Sequence, residues 1–408
     1  MSFTGGLMQN AALLWHVSLL APPGQKGLAL GGVGLVKVVP IVGFAMLSGM
    51  AADALDRRKL MIVTNTCAAF VALALAFVTW RGVTSLWPLY ALAFVGAIVA
   101  TFDPPARQSL VPMLVPRDDL PSAIGLNAIM MQAASVTGPA LAGILIATTS
   151  LEWVYLANAL SFGSVIIAVL MMRGISGRAQ HHEGEKPDIS LRSAVEGLRF
   201  VFRSPLIRST MLLDFFATFF SSATALLPIF AQDILQIGPE GYGWLYAAPA
   251  AGALAMSAGM VLLTSRIQRR GPVLLWAVAL YGAATVGFGL SRSFWVTWAC
   301  LALTGVADAV SMVIRNIVRQ LETPDHLRGR MMGVNMIFFQ GGPQLGEIEA
   351  GAVANWFGAP FAVITGGIGA LVATAWVAAS TPELRAYRAK PVTTVRAMAD
   401  GAAVGPEI

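Results

Sequence analysis

The feature that most constrains the fold of this chain is an internal repeat with an offset of 208 positions. The segment GLNAIMMQ at 125–132 returns as GVNMIFFQ at 333–340. The same offset carries Arg107 onto Arg315 and Gly143 onto Gly351. Because the offset is about half of the 408 residues, the repeat indicates two copies of one structural unit.

Both copies are too apolar for a soluble protein. Only 12% of the residues are charged, 56% are hydrophobic and the mean hydropathy is +0.70, whereas soluble domains carry about 25% charged residues. A membrane span needs roughly 20 apolar residues. The sequence predicts twelve such spans, at about 3–21, 28–53, 60–80, 85–103, 121–148, 152–172, 207–232, 241–264, 271–290, 294–314, 331–354 and 357–379.

The basic residues predict the orientation of these spans. If the long loop 173–206 is cytoplasmic, 23 of the 27 lysines and arginines lie on the cytoplasmic side, as the positive-inside rule requires. We therefore expect a multi-pass protein of a bacterial cytoplasmic (inner) membrane, with the central loop and the C-terminus in the cytoplasm. This distribution accounts for the net charge of +6 without a nucleic-acid partner.

The repeat and the long loop predict four regions: a six-helix half at 1–172, a linker at 173–206, a second six-helix half at 207–380 and a cytoplasmic tail at 381–408. In the linker, Leu191, Ala194, Leu198 and Val201 recur at helical spacing, which predicts an amphipathic helix on the membrane surface. The first span has no basic flank, which raises the question whether residues precede Met1.

Several functional classes lack their residues here. Cys67 and Cys300 are isolated within apolar stretches, and the four histidines show no ligand spacing. The sequence contains no phosphate-binding loop of the Walker type and no nucleophile–base set in its loops. We expect neither a metal nor a cofactor, and no enzymatic activity.

The segment GMAADALDRRK at 49–59 joins the second and third predicted spans. It resembles the motif between helices 2 and 3 of the major facilitator superfamily, in which Gly-x-x-x-Asp precedes a basic cluster, although Asp56 stands where glycine is more usual. The resemblance implies a latch that closes the cytoplasmic side, formed by Gly49, Asp53, Arg57 and Arg58, together with Asp103 and Arg107. The alternative is that the basic residues only anchor the loop in the cytoplasm.

Small residues and a proline form a second motif in the fifth predicted span: Gly125, Ala134, Gly138, Pro139, Ala142 and Gly143. The spacing is similar to the helix-5 motif of drug/proton antiporters of the same superfamily, with alanine in place of glycine at 134 and 142. The resemblance implies a hinge at Gly138-Pro139 in the seam between the halves, and it favours export over uptake. The alternative is ordinary close packing of membrane helices through small residues.

The segments FDPPARQ at 102–108 and VPRDDL at 115–120 resemble the connection between helices 4 and 5 in bacterial exporters related to enterobactin exporters. Together the three resemblances imply an all-α membrane protein with the twelve-helix major facilitator fold and two pseudo-symmetric halves.

Ionisable residues within spans are costly and usually functional. Asp214 and Asp308 lie in predicted spans 7 and 10. The resemblance implies that helices 1, 4, 7 and 10 line a central cavity, so both carboxylates are expected there, with Arg315 as a possible partner of Asp214. A carboxylate in apolar surroundings takes up a proton more readily than one in water, which a proton-coupled carrier requires. The alternative is a static ion pair.

Lys37 in span 2 and two carboxylates in span 11, Glu347 and Glu349, form a second group. Because helices 2 and 11 face each other in the superfamily, we expect Lys37 to pair with one of these glutamates near the outer side. The two glutamates are two residues apart, so they point to different faces of a helix.

The sequence thus predicts a monomeric secondary transporter that exports a small organic molecule, such as a drug, siderophore or metabolite, by alternating access. Inward proton flow would drive it, with Asp308 or Asp214 as the coupling carboxylate. Two alternatives remain, a nutrient uptake carrier and a membrane scaffold or sensor that does not transport.

Overall fold

A computed structural model of the protein describes residues 2–116, 119–172, 191–220, 223–263, 266–324 and 327–389. The regular structure in these residues is helical. The α-helices are α1 Ser2–Leu20, α2 Lys26–Ala54, α3 Arg57–Trp80, α4 Trp87–Leu114, α5 Leu120–Thr148, α6 Leu151–Met171, α7 Leu191–Arg203, α8 Pro205–Phe220, α9 Leu227–Ile229, α10 Gly238–Leu263, α11 Arg270–Leu290, α12 Phe294–Glu322, α13 Arg328–Phe357, α14 Ala359–Ser380 and α15 Pro382–Ala386.

Nine helical segments in the described part of the chain are long and apolar enough to cross a membrane. The other three long helices, α1, α10 and α13, pack among them in the same bundle. The path of the chain defines two sides. The loop side is the side at which α6 ends and α8 begins, and the far side is the opposite one. Odd-numbered helices from α1 to α5 run from the loop side to the far side, as do α8, α11 and α13.

The bundle consists of two halves built from equivalent helices. In the first half α3 packs on α6 and α2 on α4, and in the second α11 packs on α14 and α10 on α12. The fourth helix of each half, α4 or α12, ends at Leu114 or Glu322, again 208 positions apart. Both helices continue well beyond the predicted spans 85–103 and 294–314, so the apolar stretches marked only part of each helix.

Two pairs of helices form the seams between the halves, α2 with α13 and α5 with α10. Each of the four helices contains an internal proline. The α5–α10 pair crosses at two glycines: a Cβ added to Gly143 would lie 2.8 Å from the Cα of Gly243. The α2–α13 pair crosses in the same way, since a Cβ on Gly351 would lie 2.6 Å from the Cα of Gly31. All four glycines lie within about two turns of the far-side helix ends.

The seventh span differs from the single segment 207–232 that the sequence predicted. It begins with α8 and continues as a 3₁₀ turn at Ala223–Leu226, the short helix α9 and a π turn at Phe230–Ile234. Pro228 has no N–H to donate to the preceding turn, which is consistent with a change of helix type here. Hydropathy alone could not reveal the change, because Pro205–Ile234 is on average apolar enough to count as one continuous span.

The predicted helix in the linker is present as α7. Its Val201 is buried against Ile207 and Met211 of α8 and Met331 of α13, while its Leu198 is 41% exposed. Glu196 and Arg330 form an ion pair with an N–O distance of 2.6 Å. Part of the apolar face of α7 therefore packs on the second half of the bundle.

The predicted tail 381–408 contains a packed segment. Leu384 of α15 is fully buried, and the N–H of Gly271 donates to the carbonyl of Tyr387 at 3.1 Å. Burial raises the pKa of Tyr387 to about 12, with a further contribution from its hydrogen bond to Glu322. The segment up to residue 389 is thus attached to the start of α11, and residues 390–408 lie outside the described part.

Candidate functional site

Two cavities lie within the bundle at related positions. The first has a volume of about 430 Å³ and is enclosed by α1, α2, α3, α4 and α6 of the first half. The second, of about 280 Å³, lies between α10, α11 and α12 of the second half, and α5 contributes Gln132 and Ser135 to its lining. Ala97 and Ala100 line the first cavity, and the residues 208 positions later, Gly305 and Asp308, line the second. The internal repeat therefore places one cavity in each half.

A buried ion-pair cluster lies beside the second cavity. Asp214 of α8 is 3.1 Å from Arg315 and 3.1 Å from Arg319, both on α12, and all three side chains are buried. Arg319 also donates to the carbonyl of Thr210 at 3.0 Å. The pairing of Asp214 with Arg315 that the sequence suggested is present, whereas Arg319 was not anticipated.

Asp308 is the exposed member of this cluster. Its Oδ1 accepts a hydrogen bond from Nη2 of Arg315 at 3.2 Å, yet 47% of its side chain is accessible. The accessible part faces the second cavity, where the hydroxyl-bearing residues Tyr281, Thr285 and Thr304 also lie. Asp214 and Asp308 thus share Arg315, with one carboxylate sealed off and the other open to the cavity.

The first half has a simpler version of this arrangement. Asp103 and Arg107, one turn apart on α4, form an ion pair with an N–O distance of 2.8 Å. Asn65 of α3 donates to Asp103 at 3.1 Å, and Arg107 donates to the hydroxyl of Ser2 at 3.2 Å. Arg107 and Arg315 are repeat equivalents, so each half has an arginine on its fourth helix that contacts its first helix.

The residues of the predicted latch make contacts within the first half. Arg58 donates to the carbonyls of Val169 at 3.0 Å and Leu170 at 2.9 Å, near the C-terminus of α6. Asp56 accepts hydrogen bonds from the backbone N–H groups of Arg58 at 2.9 Å and Lys59 at 3.3 Å.

In this conformation Arg58 joins α3 to α6, both within the first half. Asp56, which departs from the motif, is the N-cap of α3. Gly49 and Asp53 lie in the last turns of α2, and the side chain of Asp53 is outside the described part. Arg57 is half-buried at the start of α3.

The helix-5 motif connects α5 to two neighbours. A Cβ on Gly138 would lie 2.9 Å from Cβ of Leu7, so this glycine allows the close approach of α1, and Gly143 allows that of α10. Ala134 and Ala142 are buried and α5 is continuous through Pro139. Gly125 is exposed with open space around it, so it makes no close helix approach in this conformation.

A second polar group crosses the seams between the halves; we call Asn10, Lys37, Tyr246 and Glu347 the Lys37 cluster. The ammonium of Lys37 donates to Oδ1 of Asn10, and Nδ2 of Asn10 donates to the hydroxyl of Tyr246 at 2.8 Å. Glu347 of α13 approaches α2 at Gly34, where an added Cβ would lie 2.8 Å from Cβ of Glu347. The opposite charges of Lys37 and Glu347 interact electrostatically.

The position of this cluster corrects one expectation. Lys37 is the twelfth of the 29 residues of α2, so it lies near mid-helix rather than near the outer side. Of the two glutamates, Glu347 is the one whose charge acts on Lys37. The expected ion pair is not formed within the described part of the chain, and Oε2 of Glu347 is buried without a hydrogen-bond partner there. Glu349 is half-buried and forms no ion pair with the residues that the structure describes.

Further contacts join the halves toward the far side. Lys26 and Asp233 form an ion pair with an N–O distance of 2.7 Å, and Ser18 donates to Gln232 at 3.1 Å. The hydroxyl of Tyr242 donates to the carbonyl of Ala11 at 2.9 Å. Together with the glycine crossings, these contacts hold the two halves together between mid-helix and the far side.

Comparison with known families identifies this architecture. A family described as transmembrane secretion effector, a branch of the major facilitator superfamily, matches residues 1–400. The chain belongs to this family. The transporter is thus assigned to the superfamily that its sequence motifs suggested.

Two kinds of curated relatives cover most of the transporter. The multidrug efflux pump Tap of Mycobacterium tuberculosis (strain ATCC 25618 / H37Rv) is 27% identical over 393 residues, which is 94% of this chain and 92% of the relative. The enterobactin exporter EntS of Shigella boydii serotype 18 is 28% identical over 352 residues, covering 85% of this chain and 82% of the relative.

Solved structures confirm the predicted fold. A mutant of the nucleoside transporter NupG superposes with a TM-score of 0.74 at 12% identity, covering 93% of this chain and 97% of that one. A bacterial homologue of the human lysosomal transporter Spinster, in an inward-facing and unoccupied conformation, gives a TM-score of 0.70 at 15% identity, covering 96% and 98%. The transporter therefore has the twelve-helix major facilitator fold.

Proposed function

We propose that this transporter exports a small organic molecule across the bacterial inner membrane in exchange for protons, by alternating access. The similarity to a multidrug efflux pump and an enterobactin exporter supports export. The observation that carries proton coupling is the position of Asp308, a carboxylate that faces a cavity while it shares a buried arginine with Asp214.

Asp308 is the better coupling carboxylate of the two candidates. Asp214 is enclosed by two arginines, and its protonation would leave Arg319 without its acidic partner in a buried site, which is costly. Protonation of Asp308 leaves Arg315 paired with Asp214. Asp308 also has access to protons through the second cavity. It can therefore gain and lose a proton without disrupting the buried cluster.

The conformation supports the alternating-access part of the proposal. The contacts that join the halves lie toward the far side, and the first cavity extends toward the loop side, where Asp103 and Arg107 lie. With the loop side in the cytoplasm, this is an inward-facing state ready to load an exported substrate. In the opposite state, Asp53 and Arg57 would help to close the cytoplasmic side, with Gly138-Pro139 at the moving seam.

Efflux of two dyes from energised bacteria tests the proposal. Cells are loaded with neutral Nile red, or with fluorescein diacetate, which intracellular esterases convert to the fluorescein anion. We expect cells that express the transporter to lose at least one dye faster than vector controls, and a protonophore to abolish the difference. Asp308→Asn should abolish the protonophore-sensitive efflux, and Asp308→Glu should retain part of it.

Everted membrane vesicles then test direction and coupling. An exporter should accumulate the transported dye in such vesicles when respiration acidifies their lumen, and dye addition should release protons from it. Dye efflux that persists with the protonophore would contradict proton coupling. Dye accumulation by intact cells instead of efflux would favour an uptake carrier, and absence of any dye movement with the protein in the membrane would favour a scaffold or sensor.

A further inference from the structure

The first cavity has an uneven distribution of charge. Three charged side chains line it: Lys37, Asp103 and Arg107. Asp103 and Arg107 neutralise each other through their ion pair of 2.8 Å. The opposite charge that acts on Lys37 lies outside the cavity, on Glu347 of the other half, which packs against α2 at Gly34. The first half by itself therefore presents a cavity with one unbalanced positive charge.

The surroundings of Lys37 suit a molecule with one polar end. Asn10 accepts from Lys37, and Gln9 and Asn158 are joined by a hydrogen bond of 2.8 Å close by on the same wall. Leu13, Val71 and Leu75 form an apolar wall of the same cavity. A volume of about 430 Å³ lies within the range of roughly 300–1,000 Å³ that small-molecule sites occupy.

The movement of the halves during alternating access changes the surroundings of the charge on Lys37. Lys37 and Glu347 lie on opposite sides of the α2–α13 seam, so separation of the halves on the far side draws Glu347 away from Lys37. A buried ammonium that loses its counter-charge is strongly unfavourable. The first cavity is lined by residues of the first half alone. An anion bound in it therefore stays beside Lys37 during this movement.

We propose that the first cavity binds an organic anion, a carboxylate or sulfonate on an apolar body, with its acidic group at Lys37. The bound anion takes over from Glu347 as the counter-charge of Lys37 when the far side opens. This inference rests on the proposed export function and specifies its class of substrate. It also explains why an empty carrier stays closed on the far side: only a loaded cavity keeps Lys37 paired.

Binding to the purified full chain tests the first part. The probes are 1-naphthoate and its neutral amide 1-naphthamide, measured by equilibrium dialysis at neutral pH in detergent. We expect naphthoate to bind at least about tenfold more tightly than naphthamide, since a charge-assisted hydrogen bond contributes roughly 1.5–3 kcal/mol. Lys37→Met should abolish this preference and Lys37→Arg should retain most of it. Lys59→Met, which alters an exposed lysine outside the cavity and away from the far side, should leave it unchanged.

Glu347→Gln gives an independent test in case Lys37→Met fails to fold. Because Glu347 competes with the bound anion for Lys37, this variant should bind naphthoate at least about threefold more tightly and leave naphthamide unaffected. A merely structural role of Glu347 would weaken the binding of both probes. Equal affinity for the two probes, or an anion preference that survives Lys37→Met, would overturn the anion site.

The counter-charge role is tested by a cross-link on the far side. Lys26→Cys and Asp233→Cys replace an existing ion pair, in a chain whose native cysteines are changed by Cys67→Ser and Cys300→Ser. We expect naphthoate to slow oxidative cross-linking of this pair at least about threefold, naphthamide to have no effect, and Lys37→Met to remove the response. An unchanged rate with saturating naphthoate would overturn this role.

The two proposals fail in different ways. Binding to the purified chain requires no transport, so a Lys37-dependent preference in a chain that exports nothing would contradict export and leave the anion site standing. Proton-driven efflux of Nile red but not of fluorescein, together with equal affinity for the two naphthyl probes, would contradict the anion site and leave the export function standing.

Discussion

Asp214 and Asp308 contact the same guanidinium, yet their removal should have different effects. Asp214→Asn would leave two buried arginines with less acidic charge, and breaking a buried pair costs about 3–5 kcal/mol. We expect this variant to unfold at a clearly lower temperature or to accumulate poorly in the membrane. Asp308→Asn should keep the wild-type unfolding temperature in detergent while it loses coupled efflux. Equal losses of stability would contradict this division of roles.

Asp56 provides a second prediction for a single residue, because it caps α3 where the superfamily motif has glycine more often. Asp56→Ala removes the hydrogen bonds to Arg58 and Lys59, and loss of an N-cap costs about 1 kcal/mol. Asp56→Asn keeps an acceptor oxygen and should be close to wild type. The unfolding temperatures of the purified wild type and the two variants test this expectation. A lower unfolding temperature for the asparagine variant than for the alanine variant would contradict the capping role of Asp56.

Some residues of the candidate site could be predicted from the sequence, and others could not. Buried charge identified Asp214 and Asp308 because ionisable groups are rare in apolar stretches. Arg315 lies just beyond the predicted end of span 10, and it was suggested only as a possible partner of Asp214. Arg319 lies beyond the predicted end of span 10 and looked like a cytoplasmic anchor. Its position one turn after Arg315 was the available signal. The capping role of Asp56 and the contacts of Arg58 with α6 depend on distances between elements, which spacing along the chain does not contain.

At the level of helices, the glycine crossings lead to a prediction about the seam between α5 and α10. A Cβ on Gly143 would lie 2.6–3.0 Å from the backbone of Pro239 and Gly243. Unlike a side chain, the backbone of a helix cannot relieve this clash by adopting another rotamer. Overpacking costs about 1–3 kcal/mol. Gly143→Ala should therefore lower the unfolding temperature and slow the Lys26→Cys/Asp233→Cys cross-link, because the seam is forced apart.

Gly125→Ala is the matched control on the same helix. An added Cβ there meets open space, and alanine favours helix by about 1 kcal/mol over glycine. This variant should unfold at an equal or higher temperature and cross-link at the wild-type rate. If both variants behaved alike, helix propensity rather than close approach would explain the result.

Helix positions were predicted well where hydropathy and helix coincide, as for α5 and α11. The prediction stopped short for α4 and α12, since their loop-side ends carry Arg107, Arg315 and Arg319 and are no longer apolar. It gave no sign of the broken seventh span, because a 3₁₀ or π turn changes the hydrogen-bond partner and leaves the composition unchanged.

For the whole molecule, the proposed orientation and the proposed inward-facing state predict which reagents reach the first cavity. A single cysteine at Ala97→Cys, with both native cysteines replaced by serine, lines that cavity. We expect a membrane-impermeant maleimide to label it in everted vesicles, where the loop side is outside, and to label it at least about fivefold more slowly in spheroplasts. Lys26→Cys in the same background should show the reverse. The opposite pattern for both would contradict the predicted topology.

The fold of the whole molecule was predictable because the internal repeat, the lengths of the apolar stretches and two motifs can all be read directly from the sequence. The contacts between the two halves were harder to predict from the sequence. The sequence placed Lys37 opposite two glutamates only through the resemblance, and it misplaced the contact toward the outer side. Which glutamate faces Lys37 depends on the rotation of α13 about its axis, and that rotation is set by the close approach at Gly31, Gly34 and Gly351.

The glycine crossings also lie far from the loop-side ends of their helices. Gly143 lies about 35 Å along α5 from its loop-side end at Leu120, at 1.5 Å per residue, but only five residues from its far-side end. If the halves pivot near the loop-side helix ends when the far side opens, the crossings move on a long lever arm. A rotation of about 10° about such a pivot would carry Gly143 through about 6 Å. A small rotation would therefore separate the close backbone contacts completely.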